Sequence, residues 1–332
     1  MRRFFAISTA VLLTSGFWVL NSRSEGLPGF QDFRRIDRMR RLTGQLQSAE
    51  LLDATRIDPK LVLKTTEEHA GDVQVLWGAA ETLLDWPQKR AMYEAAIHVG
   101  GTNVDVVLRF GCAAAHHRDF DTALPWFRVI QQRDKGNALP WLVEFWAQRE
   151  RAAAGTNGPP AIAKFPSALI PDAMQYRDYA ADAARARIRL LERMGYSKYA
   201  ARRLGFMPEP VALWIMRDFA TSMPDDDLQP LLLATARSMQ HPPTFLVTEL
   251  VGQTVERAVL GARANIDRPE SRLRVGELDT RRDKLKVLLS RMERDIVDMA
   301  TETEMVRYFD DVLIEGEEAA MNNLANTVRH SN

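Results

Sequence analysis

The chain has 332 residues, 46% of them hydrophobic, which can fill a sizeable core and is too apolar for a disordered protein. Lysine plus arginine and aspartate plus glutamate each number 44, so the balanced charge gives no global drive toward nucleic acid, and none is expected as a partner. Cys112 is the only cysteine, which excludes an internal disulfide and a cysteine-based zinc site; beside Gly111 and Ala113 it suits a small buried hydrophobe.

Arg2 and Arg3 precede seventeen uncharged residues, Phe4 to Leu20, so residues 1–22 read as a membrane anchor or signal peptide. The best small-x-small cleavage site is Thr14-Ser-Gly16, but Phe17-Trp18-Val19-Leu20 follows at once, which favours an uncleaved anchor. Arg23, Arg34, Arg35, Arg38 and Arg40 behind the segment argue for a cytoplasmic body. The short basic start is instead an export signature, and an extracytoplasmic, periplasmic body is the expectation. Within residues 23–70, the stretch 31–51 reads as a basic amphipathic helix: Phe33, Ile36, Met39 and Leu42 recur every three, with Arg34, Arg35, Arg38, Arg40 and Arg41 between them. Its apolar stripe either packs on the domain or rests on anionic headgroups.

From residue 71 to 152 the breaks lay out helical hairpins. Val73–Leu84 and Gln88–Val99 form the first, around Asp85-Trp-Pro87 and ending at Gly100-Gly101. Val104 to His116 and Thr122–Gln132 form the second, turning at Arg118-Asp119-Phe120 and closing at Asp134–Asn137. A third opens at Ala138-Leu-Pro-Trp141, where Pro140 suits a first turn. Pro125 is tolerable only if its helix starts close to Asp121. A 34-residue echo runs through these segments: Val73, Val107 and Trp141 fall in step, as do Trp77, Gly111 and Phe145, Tyr93 and Phe127, and Ala96 and Ile130. Ala80 and Ala114 sit where helices of one hairpin would cross closely.

At these residues the chain resembles a tetratricopeptide repeat protein. Phe110-Gly111, Asp119-Phe120, Ala123, Phe127 and the Asp134–Asn137 turn follow that pattern in order. Trp77, Glu81 and Arg90 to Ala96 look more like the half-a-tetratricopeptide variant, with Lys89 where a small residue should stand. The third unit carries Glu144 and Gln148 on its inner face and ends after Arg151. The resemblance implies an α/α-hairpin solenoid with Trp77, Tyr93, Ala96, Gly111, Ala123, Phe127 and Trp141 as packing positions.

Gly155, Gly158, Pro159, Pro160, Pro166 and Pro171 interrupt the helices and make 153–171 a linker. Beyond it, 172–332 reads as an all-helical C-terminal domain with helices at Ala173–Met194 (Arg-rich), Tyr199–Leu204, Pro210–Ser222, Asp226–Met239 and Phe245–Ala262. Leu278 to about Asn326 reads as two long helices joined near Thr301–Glu304, with Leu285, Leu288, Leu289, Met292, Ile296 and Met299 on one stripe. This pair would cap the stack or join a second subunit.

His116-His117-Arg-Asp119-Phe-Asp121 is a His and carboxylate cluster, but adjacent helical histidines diverge by about 100°, and the aspartates have turns to cap. No metal or other cofactor is expected. Glu270-Ser271 is similar to the general acid and following serine of soluble lytic transglycosylases, but the further glycine-, methionine- and glutamine-containing motifs of those enzymes do not follow, and a solvated loop between helices accounts better for Arg268–Arg272; a glycan-cleaving envelope enzyme is the alternative. The expected function is a non-enzymatic, protein-binding scaffold or assembly factor of a bacterial cell envelope. Gln132, Arg133, Arg149 and Arg151, beside Trp146, would give its groove a basic edge for an extended or acidic peptide. A structural membrane-associated oligomer is a further alternative.

Overall fold

The computed structural model describes residues 27, 29–34, 57–155, 175–206, 208–222, 228–241, 245–261, 268–292 and 299–330. The expected anchor at 4–20, residues 35–51 of the basic helix and residues 156–171 of the linker lie outside the described residues. Helices α1 (Pro59–Glu68), α2 (Val73–Thr82), α3 (Trp86–Gly100) and α4 (Val104–His116) open the main body. There follow α5 (Phe120–Arg133), α6 (Leu139–Gly155), α7 (Ala180–Arg193), α8 (Lys198–Gly205) and α9 (Val211–Ser222). The last are α10 (Gln229–Ser238), α11 (Leu246–Leu260), α12 (Pro269–Arg291), α13 (Glu302–Glu315) and α14 (Glu317–His330). The protein is all-helical; among the described residues the one β-type pairing is an isolated bridge between Asn137 and Gln175.

Helices begin where the sequence supplies a side-chain acceptor for the orphan first-turn amides. Asp58, Asp72, Asn103, Asp119 and Ser197 each accept such an amide, and Thr301 forms a capping box with Glu304. Helix α5 starts at Phe120, close enough to Asp121 that Pro125, inside it, removes a bond of an early turn only.

The described helices group into two compact units, each drawn from non-adjacent stretches of chain. Neither is the contiguous block 71–152 or 172–332 read from the Gly- and Pro-rich break, and α6 runs past residue 152 to Gly155. One unit holds α1–α3, α7, α8, α13 and α14, and the other α4–α6 and α9–α12.

In the first unit α2 lies chiefly against α7. The approach needs Gly78, because a Cβ there would stand 2.2 Å from the carbonyl oxygen of Ala186. Trp77, Ala79 and Ala80 are buried beside it, and Trp77 Nε1 (3.2 Å) and Tyr93 Oη (2.7 Å) both donate to the buried Glu81 carboxylate. Lys89, where the repeat pattern calls for a small residue, is only 2% exposed and pairs with Glu209. Helices α7 and α8 turn at Gly195 (φ +90°), where the Tyr196 amide reaches back to the Leu191 carbonyl at 3.0 Å. Tyr199 on α8 then meets Phe309 of α13 and, from the N-terminal side, Phe30 and Phe33 at 4.8 and 5.8 Å. Phe33 is 1% exposed, so the apolar stripe of the basic helix faces protein where it is described.

In the second unit α4 and α5 form a close hairpin. A Cβ on Gly111 would lie 2.9 Å from the Phe127 ring, so the two helices approach closely at this glycine. Arg118 takes the left-handed conformation (φ +60°) that ends α4. The hairpin α5–α6 carries Gln131, Arg128 and Gln148 around Glu144. Residues 175–179 are a non-helical strap rather than the helix expected from Ala173, with Tyr179 in the left-handed region (φ +53°). The strap is tied to the 134–138 turn by Ala138 N to Gln175 O (2.8 Å), Asn137 Nδ2 to Arg177 O (2.8 Å) and Tyr179 Oη to Asp134 (2.7 Å).

The C-terminal reading also changes. Thr301 is the N-cap of α13, and Gly316 (φ 91°, ψ 160°) separates α13 from α14, so the described part of 269–330 is three helices. Leu278 and Leu285 of α12 are buried, as is Met292 just past its end, whereas Met299 is exposed; Ile296 lies outside the described residues.

Candidate functional site

The residues proposed for a partner-binding edge do not come together. Arg151 reaches Asp121 at the start of α5 (3.0 Å), while Arg133, at the other end of that helix, donates to the Thr102 carbonyl at 2.6 Å. Because α5 and α6 run antiparallel, the two ends are separated by about 18 Å at 1.5 Å per residue. Sequence proximity had suggested one edge; the hairpin makes two. Trp146 is buried edgewise on Phe120 and offers no surface to a partner, whereas Gln132 is exposed and Arg149 half-buried. The packing residues Trp77, Tyr93 and Ala96 are buried in the first unit and Ala123 and Phe127 in the second. Trp141 is half-buried, and its indole nitrogen has no hydrogen-bond partner among the described residues.

The His and carboxylate cluster is dispersed over caps and stacking. His116 ends α4 with its ring 4.6 Å from that of Trp214, and Asp119 accepts the Thr122 amide at 3.3 Å. Among the described residues no group of three or more metal-capable side chains converges. Glu270 lies in the exposed first turn of α12 and Ser271 is buried, so this pair belongs to a helix start and not to the loop expected.

A cleft of about 750 Å³ opens instead in the first unit, lined by α7, α8 and α13. Helix α7 supplies Arg185, Arg189 and Arg193 at four-residue spacing, which places three guanidinium groups along one face, with Ile188 beside them. Arg185 bonds Asp182 (2.6 Å) and the Leu313 carbonyl (2.6 Å), so it also satisfies an orphan acceptor near the end of α13. Arg189 bonds Asp72 at 2.6 Å. Burial would push the Asp72 carboxyl up, but Arg189 and the Gln74 and Val75 amides together hold it below the usual range. Arg202 on α8 bridges Asp310 (2.7 Å) and Glu192 (2.8 Å); these bonds outweigh the effect of burial and raise its already high pKa. Across the cleft, Leu313 and the 68% exposed Ile314 add apolar surface.

This arrangement holds fixed charge next to hydrocarbon. Both lining carboxylates accept from the single Arg202 guanidinium. In the sequence, α7 stood out as Arg-rich, and the spacing of 185, 189 and 193 was available. The other wall was not, since Asp310 and Ile314 lie more than a hundred residues further on.

No family model, curated protein or solved structure matches the chain. The likeness to tetratricopeptide repeats therefore rests on the residues named above.

Proposed function

We propose that the protein is a scaffold of a bacterial cell envelope, held at the membrane by residues 4–20, that binds another protein through the cleft between α7, α8 and α13. The occupant is an amphipathic segment whose carboxylates meet Arg185 and Arg189 and whose apolar side covers Leu313 and Ile314. The observation that carries this reading is the 68% exposure of Ile314 at the rim of an arginine-lined cleft, since a large exposed apolar side chain beside fixed charge is what a peptide-binding groove presents. The repeat-like hairpins serve as the frame, and the protein works without catalysis.

Affinity capture with the full-length chain tests this. Capture of a stoichiometric protein by the native chain and its loss with Ile314→Glu supports the reading, because a surface substitution alters association more than stability. Equal capture by both forms would move the binding site elsewhere. Glycan turnover by the purified protein, abolished by Glu270→Ala in a folded variant, would replace the scaffold with a lytic enzyme.

A further inference from the structure

The described N-terminal residues pack along one edge of the first unit. Leu27 passes the turn between α7 and α8, with its Cδ1 3.9 Å from the place of a Gly195 Cβ, and Phe30 and Phe33 then lock onto Tyr199 of α8. Only residues 21–26 separate Leu27 from Leu20, and fully extended they span at most about 24 Å. The turn is thus tethered close to the end of the uncharged segment.

At that turn two cations are uncommitted. Arg193, the last residue of α7, and Lys198, the first of α8, are exposed, and neither makes an ion pair among the described residues. The adjacent carboxylate, Glu192, is bound by Arg202, and Asp58, whose charge reaches Tyr196, is occupied in capping α1 through the Lys60 amide. Half-buried Tyr196 and 41% exposed Leu27 complete the turn, giving the aromatic, apolar and basic mixture found at bilayer interfaces.

We propose that the α7–α8 turn is the membrane-facing edge of the first unit and that Arg193 and Lys198 bind anionic phospholipid headgroups. This rests on the reading of residues 4–20 as an anchor. It adds that the body is docked on the surface and not suspended from it.

The test uses full-length protein in vesicles of phosphatidylcholine alone or with one-third phosphatidylglycerol. Flotation is followed by acylation of lysines with a water-soluble reagent. The protein is expected to float with both vesicles, and Lys198 to react about fivefold to tenfold more slowly in the anionic ones. Lys60 and Lys64 of the same unit should be unchanged, and Arg193→Glu should remove most of the protection. These values follow from an attraction worth a factor of about five per basic residue near such a surface. Flotation with both vesicles and equal Lys198 reactivity would overturn the docking while leaving the anchor in place. Protection equal in both lipids would assign the turn to a protein contact and overturn it as well. Failure to float with either would reject anchor and docking together.

Discussion

Glu256 is fully buried, and three donors converge on it: Arg274 at 3.0 Å, Arg237 at 2.9 Å and Gln240 at 2.7 Å. Burial would push its carboxyl up, but the bonds from Arg274, Gln240 and Arg237 together lower it below the usual range. A carboxyl depressed in the folded state contributes stability that is present above its unfolded pKa, about 4.3, and is lost as pH falls through the folded value. Urea unfolding between pH 3 and 7 should show that acid loss in the native chain and a flatter profile in Glu256→Gln. The variant should be about 2–4 kcal/mol less stable at pH 7, since it leaves charged donors short of a partner. Glycines 78 and 111 give a second expectation at this scale. Gly111→Leu should cost about 1–3 kcal/mol by overpacking against the Phe127 ring. Gly78→Ala should cost at least as much although it adds one methyl group, because the atom it meets is the Ala186 carbonyl, a backbone group that cannot rotate away. Thermal unfolding of the two variants ranks them, and an unchanged midpoint for Gly78→Ala would mean that α2 does not depend on that approach.

Among the elements, those opened by Asp72, Asn103 and Asp119 were legible because a capping side chain, a turn and an apolar period coincide at each. The strap at 175–179 was not, since the alanines on either side of it favour a helix, whereas its own residues are tied to distant partners: the Asn137 and Asp134 side chains, the 134–138 backbone and the Ser238 hydroxyl. The division of 269–330 was misread for a similar reason: Gly316 stands among acidic helix formers without a proline beside it, yet its backbone occupies a region nearly reserved for glycine. Gly316→Ala should therefore destabilise the α13–α14 hairpin by about 1–3 kcal/mol. Thr301→Ala, which removes the capping box, should cost about 1 kcal/mol. Amide exchange in α13 reports both; slow exchange retained in the two variants would show that tertiary packing alone holds the helix. The cleft was the least legible feature, because its arginines acquire meaning only from Asp310, Leu313 and Ile314 on a distant element.

For the whole molecule, the anchor reading predicts that the full-length chain stays with membranes after a carbonate wash, whereas a chain starting at Ser22 remains in the supernatant. Recovery of a soluble form with its amino terminus near residue 17 would instead show a cleaved signal. The partnership of α2 with α7 has a consequence for synthesis. Asp72 and Arg189 are separated by 117 residues, so the apolar face of α2 leaves the ribosome long before the helix that covers it. At 5–20 residues per second that interval is on the order of ten seconds. During it Val75, Leu76 and Trp77 are open to nascent-chain aggregation and are natural points for a chaperone to hold.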